Sequence, residues 1–553
     1  MSFFKSRPKR LCDDVKANSK KVEPQMGPLP VYRVPLKEEK IEINGCRFFS
    51  FTAKQATAKE QSRTIMVLGA RGAGKSTLIN GMINYILGVK WDDPYRFSLV
   101  DDGQTQSQAH SQTSEVTVYK LNHREGFQIP FSLTIIDTPG FGDTRGIDRD
   151  KEITEQLRNL FTSKDGVTEI NAVCFVAQAA LARLTPSQKY VFDSILSIFG
   201  KDIAENIRIL VTFADGQKPP VLEAIKASGV PSPKGKDDLP VHFKFNNSAL
   251  FADNKSSSYT QSGDDDDENF DQMFWNMGTK SMKRFFVALS QIQTQSLSLT
   301  NEVLRERKQL EVTVESLQGQ VRLGLAKLEE IRETRKQIKD NEAEISRNEN
   351  FEFEVTVKKP IQVDISGSGN FITNCQQCHV TCHYPCAYSN DADKKKCAAM
   401  DRNGYCTACP KKCYWNVHFN QKYRWDYRDE TEKRTIKELK EKYDLATEGK
   451  MTVEGVMRKL KDEYKTMQDE VQKLMEKSAK CLNRLKEIAL KPNPLSTPEY
   501  IDMLIEGEKQ EGKPGWKKRR ESLMQMKGKA ELMAKVGKGD KPLLKQESLD
   551  VTS

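Results

Sequence analysis

No stretch of this 553-residue chain approaches the ~18 consecutive apolar residues of a membrane-spanning helix, and the first residues lack the apolar centre of a secretion signal. Both absences lead to the expectation of a cytoplasmic protein. A concentrated basic face interleaved with aromatic residues is also missing. The net charge of +10 is spread among acidic residues and gathers mainly at the two ends, which disfavours a nucleic-acid partner. Histidine is scarce, six residues in all, and three of these fall in one cysteine-rich stretch. Of twelve cysteines, eight lie between Cys375 and Cys413. In a reducing compartment such crowding favours metal thiolates over disulfides.

Against that background one short run stands out. Gly69-Ala-Arg-Gly-Ala-Gly-Lys75-Ser76 fits the phosphate-binding pattern G-x-x-x-x-G-K-[ST]. The apolar run Thr64–Leu68 precedes it as a buried strand, and Thr77–Ile86 follows it as an amphipathic helix. Gly69, Arg71, Gly72, Ala73, Gly74, Lys75, Ser76 and Thr77 are the expected cradle for a nucleotide's phosphates. Glycines let the backbone wrap an anion at a helix N-terminus, Lys75 adds charge at the outer phosphates, and the Ser76 hydroxyl suits Mg2+. Apolar runs at 64–69, 132–137, 171–178, 207–213 and 241–246, separated by helix-length segments, predict a doubly wound α/β sheet.

Downstream residues choose the nucleotide. Asp137-Thr-Pro-Gly140 ends an apolar strand, setting a carboxylate to hold Mg2+ and a glycine amide near a third phosphate. Thr113, with Thr105 and Thr117 as rivals, is the expected switch hydroxyl on the metal. Lys75, Thr113 and Gly140 are therefore the expected catalytic set. Thr212 and Asp215, with Ser248 and Ala249, form the expected base site, because a carboxylate accepting two bonds from the guanine edge rejects adenine. GTP or GDP is the ligand these residues favour.

Gly69–Ser76, Asp137-Thr-Pro-Gly-Phe-Gly-Asp-Thr144 and Leu184-Thr-Pro-Ser-Gln-Lys-Tyr-Val-Phe192, with Phe199-Gly200, resemble the AIG1-type (immunity-associated) GTPases and echo the septins, over about residues 60–290. The resemblance implies a Ras-like P-loop G domain, dimerisation across the nucleotide face, and membrane association in some members. Two departures stand out. The lysine of the usual [NT]-K-x-D motif is Phe213 here, and the position of the water-orienting glutamine is Phe141. Turnover is therefore expected to be slow, with Arg71 and Arg145 as candidates for a residue supplied across a dimer.

After Trp275 the period changes. Leu310, Val314, Leu317, Val321, Gly324, Leu328, Ile331, Ile338 and Ile345 form one coiled-coil seam; Val453, Val456, Leu460, Tyr464, Met467, Val471, Leu474, Cys481, Leu485 and Ile488 form another. Two such seams flanking a compact module predict an antiparallel hairpin, with a parallel homodimer as the competing arrangement. Between them, Cys375, Cys378, Cys382, Cys386, Cys397, Cys406, Cys409 and Cys413, with His379, His383 and His418, have the knuckle spacing of tetrahedral zinc and suffice for two structural ions. Phe351–Val357 and part of Tyr414–Tyr427 alternate and are expected to pair as antiparallel strands.

The expected order is a disordered basic arm (1–40), the G domain (41–290), a first coiled-coil helix (291–350), a zinc-stabilised β module (351–427), a second coiled-coil helix (428–492) and a basic helical tail (493–553). Expected partners are a second copy, through the G domain or the coiled coil, and a further protein on the module. The basic tail offers peripheral membrane contact as an alternative to docking on its own chain. The expected function is a GTP-controlled switch or assembly protein, with a structural protein that binds nucleotide without turnover as the alternative.

Overall fold

The computed structural model describes residues 10–22, 28–51, 61–100, 115–142, 147–254, 267–348, 350–444, 452–492, 497–511 and 516–538. Thr105, Thr113, Arg145 and Asp264 to Asp266 lie outside the described residues. The chain divides into two compact units, one of Met1–Leu304, Ile488–Leu495 and Glu499–Met526, the other of Arg305–Glu487, Ser496–Pro498 and Lys527–Ser553.

The first unit is built on an eight-stranded sheet in the order His242–Lys244, Ile207–Thr212, Ala172–Gln178, Ser62–Gly69, Ser132–Asp137, Val116–Leu121, Cys46–Phe51, Lys37–Glu38. The first five run parallel; Val116–Leu121 is antiparallel to Ser132–Asp137. The expected apolar runs are these five strands. Both faces of the central strands are covered, so Ile65, Met66, Val67 and Leu68 are all fully buried, as a near-continuous apolar strand requires. Chain order reverses beside Ser62–Gly69, where a doubly wound sheet opens its ligand crevice.

The helix Lys75–Ile86 does more than fill the core. Asn80 and Asn84, one turn apart on its buried face, act as surrogate strand partners. Asn84 accepts from Phe97 N–H at 2.9 Å and donates to Phe97 C=O at 2.8 Å, while Asn80 Oδ1 accepts from Leu99 and Val100 at 2.8 and 3.1 Å. The helix that carries the loop thereby fixes the strand Arg96–Ser98.

Three expectations are corrected here. Described residues of the 1–40 segment form the helix Leu11–Ala17 and the strand Val31–Arg33, which runs parallel to Arg96–Ser98. Leu11 and Val15, spaced one turn apart, are buried with Cys12 in the core, and Arg10 holds Asp93 in a bidentate pair at 2.7 Å. Sparse apolar residues among lysines hid a docking face worth roughly 1.5–3 kcal/mol per fully buried large side chain. Secondly, part of the 493–553 tail belongs to the first unit: the Tyr500 hydroxyl donates to one Asp193 carboxylate oxygen at 2.9 Å, and Lys491 Nζ, just before the tail, to the other at 3.3 Å, on the helix Pro186–Leu196. That helix begins with a capping box between Thr185 and Gln188. The helix leaving the unit and the chain returning to it meet at one glycine: Thr300 Oγ1 accepts from Gly200 N–H at 3.2 Å, Leu490 N–H donates to Phe199 C=O at 2.9 Å, and Ala489 bridges Gly200.

The second unit gives the third correction. Glu352–Asp364 pairs along its whole length with Tyr423–Thr435, so Phe353 to Val357 lie opposite Glu430 to Arg434 rather than opposite 414–427. Residues 428–435 are strand, not helix. Both faces of much of this ribbon meet solvent, and ion pairs such as Lys359 to Glu432 replace apolar alternation along it. Beyond it come the helices Ile436–Asp444 and Val453–Ile488. Leu328 and Ile331 of the helix Ser298–Asp340 pack with Val456, Leu460 and Tyr464, and Leu310, Val314 and Leu317 with Val471, Met475 and Cys481. Those contacts run antiparallel within one chain. Leu532 and Val536 of the helix Trp516–Gly537 join the second cluster, so part of the tail's apolar face is occupied by its own chain. Among the described residues no helix is long and apolar enough to cross a membrane.

Candidate functional site

The loop at 69–76 has its carbonyls tied from behind. Lys75 Nζ donates to Gly69 O at 3.2 Å and Ala70 O at 3.0 Å, Gln178 Nε2 to Gly72 O at 2.9 Å, and Thr212 Oγ1 to Ala73 O at 2.7 Å. With those oxygens engaged, the N–H groups of the first helical turn, at Lys75, Ser76 and Thr77, remain as the loop's anion-directed face. Gly72 and Gly74 take φ of 73° and 83°, conformations that favour glycine. Burial pulls the Lys75 ammonium down to about 8, against the upward pull of Asp137.

Asp137 is fully buried at the end of Ser132–Asp137, in register with Val67 of the loop strand. Thr138 Oγ1 locks that end to Val67 O at 2.9 Å. One hydroxyl, Ser76, and one carboxylate, Asp137, are hard oxygen ligands of the type Mg2+ takes. Thr117 is buried within Val116–Leu121, opposite Asp137 in the register. The Gly140 segment is stitched to the loop: Arg71 N–H donates to Phe141 O at 3.1 Å and Phe141 N–H to Gly69 O at 3.3 Å. An added Cβ on Gly140 would stand 2.7 Å from Arg71 Cα, so this crossing tolerates only glycine. The Phe141 ring is 1% exposed.

Past the end of Ile207–Thr212, Phe213 lies beside Gly74, while Asp215 and Ser248 follow the ends of Ile207–Thr212 and His242–Lys244. Phe213 is 57% exposed at φ 52°, and a Cβ on Gly74 would lie 3.5 Å from its ring. Left-handed backbone under an aromatic side chain is strained and marks functional sites. Asp215 is exposed and accepts from Gln217 N–H at 3.0 Å. Two expected base-site residues have other duties. Thr212 is buried and holds the loop; the Ser248 amide and hydroxyl both donate to Asn246 Oδ1, at 3.2 and 2.8 Å, and Ala249 is buried. Asn246 in turn donates to Ala214 O at 3.2 Å. Sequence reasoning passed over Gln178 and Asn246, though each is a polar residue closing an apolar strand.

The cysteine-rich stretch gathers differently from two separate sets of four. Three groups have mutual ligand-atom distances within 4.8 Å: Cys375, Cys378, Cys409 and Cys413; Cys382, Cys406, Cys409 and His418; and His383, Cys386 and Cys397. The two CxxC knuckles interleave, which spacing cannot reveal. His379 belongs to none of these groups; it is exposed at φ 49° and lies against the Trp425 ring. Tyr414, Trp415, Tyr423 and Trp425 pack on one another or on neighbouring rings. His418 is 1% exposed; its Nδ1 meets Tyr414 O at 3.0 Å, and its buried Nε2 has no hydrogen-bond partner. An imidazole fixed at one nitrogen with the other aimed at thiols is a ligand's arrangement.

Residues 59–163 match the septin family model. The protein peanut of Drosophila melanogaster is 35% identical over 125 residues, a match covering 22% of this chain and 20% of peanut. The matched segment thus spans about a fifth of that relative. Solved structures of Toc33 from Arabidopsis thaliana are similar at 19% identity, one with GDP and Mg2+ (TM-score 0.27, 43% of this chain and 88% of that one) and one with Mg2+ and GMPPNP (TM-score 0.26, 42% and 88%). Loop, sheet and matched segment together make residues 59–163 similar to a septin-type P-loop domain, with the C-terminal region outside the match.

Proposed function

We propose that this chain is a GTP-binding, Mg2+-dependent P-loop protein acting as a nucleotide-controlled switch or assembly protein with slow intrinsic hydrolysis. The observation that carries the reading is the pair of backbone bonds joining Gly69 and Arg71 to Phe141: a ligand that shifts the loop shifts the Gly140 segment with it. Ser76 and Asp137 would hold Mg2+, with Thr113 as a further candidate; the ion, when bound, neutralises charge building on the outer phosphates. Lys75 and the amides of the first helical turn bind the phosphates, Phe213 stacks on the base, and Asp215 selects guanine. Phe141, a buried ring where a glutamine would orient water, supports slow turnover.

Light scattering of the full chain with GDP and with a non-hydrolysable GTP analogue tests the switch. A change in mass is expected, and identical mass in both states overturns it. Hydrolysis that neither rises with protein concentration nor changes in Arg71→Ala and Arg145→Ala removes the proposed dimer contribution.

The buried Phe141 also favours the second reading, a structural protein that binds nucleotide without turnover and works through its C-terminal region. Absence of product in a single-turnover assay selects it. In both readings the paired helices are a coiled-coil arm, the cysteine-rich module is a zinc-stabilised scaffold for a protein partner, and the chain is cytoplasmic. Peripheral membrane contact through the tail is the alternative to its docking. The orphaned Nε2 of His418 supports the zinc assignment.

A further inference from the structure

We infer that the cysteine-rich module holds three zinc ions, two of which share the thiolate of Cys409. The inference rests on the zinc reading above and adds the number of ions, their ligands and the bridge. Cys409 Sγ lies within 4.8 Å of every ligand atom in two groups, with Cys375, Cys378 and Cys413 on one side and Cys382, Cys406 and His418 on the other. Each group then supplies four ligands only if both use Cys409. Two tetrahedra joined at one corner satisfy that requirement with seven residues.

The spacings agree with occupied tetrahedra. A Zn–S bond of about 2.3 Å makes the sulfur–sulfur edge of a tetrahedron about 3.8 Å. Cys378 and Cys413 stand 3.7 Å apart, and Cys386 and Cys397 stand 3.8 Å apart. These are far beyond a disulfide bond of about 2.05 Å, and the twelve cysteines are free. Backbone amides support the thiolates: Ala408 and Cys409 N–H both reach Cys406 Sγ at 3.4 Å, and Cys413 N–H reaches Cys409 Sγ at 3.2 Å. His418 supplies a second, independent pointer, since its Nδ1 is committed to Tyr414 O and its buried Nε2 has no hydrogen-bond partner. Six thiolates around two divalent ions leave a net negative charge, which the amide donors spread.

The third ion takes His383, Cys386 and Cys397, all buried. His383 Nδ1 is 3.3 Å from Cys397 Sγ, and the Thr373 hydroxyl is 3.3 Å from both Cys386 Sγ and Cys397 Sγ. Buried Lys394, held by Ile372 O and Tyr388 O, lies 3.9 Å from Cys386 Sγ. This group shares no residue with the other two. Each ligating thiol gives up one proton to solvent, Cys409 a single proton for its two zinc–sulfur bonds, so loading releases protons without any change of oxidation state.

The test uses the full chain, purified reduced, with elemental analysis of zinc and then replacement by cobalt(II). Three ions per chain are expected. On titration, the electron paramagnetic resonance intensity should rise with the first ions and then fall as the shared thiolate couples two spins, leaving the signal of one isolated ion. Cys397→Ser should lose one ion and keep the coupling; Cys409→Ser should abolish the coupling and keep the isolated ion. Freshly reduced protein without metal removes the zinc reading itself. Bound metal whose full intensity stays uncoupled, or coupling that survives Cys409→Ser, overturns the bridge while the zinc reading stands.

Discussion

Gly140→Ala tests the proposal that the Gly140 segment senses a third phosphate while the loop holds the first two. The new methyl would stand 2.7 Å from Arg71 Cα and 2.9 Å from Arg71 N. Both are backbone atoms, so neither can swing aside. The two segments must part by about half an ångström, and overpacking of this kind costs about 1–3 kcal/mol when it must be reversed. The same parting stretches the bonds from Arg71 to Phe141 and from Phe141 to Gly69, now 3.1 and 3.3 Å, each worth about 0.5–1.5 kcal/mol. A ligand that needs the Gly140 amide against the loop must restore that closure; one held by the loop alone need not. The ratio of GTP to GDP affinity should therefore fall by about 5- to 150-fold, the equivalent of about 1–3 kcal/mol. Competition titrations of the full chain with GDP and a non-hydrolysable GTP analogue measure it. Equal weakening of both nucleotides, or of neither, refutes the idea that Gly140 senses the third phosphate.

Thr212→Val removes the hydroxyl from Ala73 O while keeping shape, leaving a buried acceptor unmet at about 1–3 kcal/mol; both GDP and GTP should weaken, and unchanged titrations would show that the loop does not need this tie. Phe213→Ala should weaken guanine nucleotides by roughly 1 kcal/mol if the ring stacks on the base, whereas wild-type affinities equal for GTP and ATP would dispose of the guanine assignment. Asn84→Leu leaves both backbone groups of Phe97 without partners and should speed hydrogen exchange at residues 97–100 about tenfold or more; unaltered exchange contradicts the clamp. Burial raises the Glu330 carboxyl, but Lys327 and Arg434 outweigh it and hold the group below its ordinary 4.5. Its contribution is complete above that value and is lost as pH falls through the lower folded one. Acid melting of Glu330→Gln should be less steep than wild type in that window, and parallel curves would deny the linkage.

The central strands and the phosphate loop were legible because each obeys a local rule: continuous apolar runs for strands covered on both faces, and a spacing set by one anion. Residues whose partners are distant in the chain were not. Leu11 and Val15 carry the pattern of one helical turn among charged neighbours, too little to announce a docked segment. The strand 428–435 reads as charged because ion pairs, not apolar alternation, hold much of its two-stranded ribbon. Thr212 was legible as a residue at the end of a strand, but not as one turned inward to the loop. The knuckles around Cys375 and Cys406 were visible as candidate metal ligands; their interleaving depends on how the strands Phe371–Cys375 and Val380–Cys386 and the 406–413 turn meet, which spacing does not encode.

The meeting of Thr300, Ala489 and Leu490 around Phe199 and Gly200 gives the stretch between them the topology of an insertion. Its covalent entrance and exit lie at a single point on the nucleotide-binding unit, so the inserted unit begins with its ends already brought together and little closure entropy left to lose.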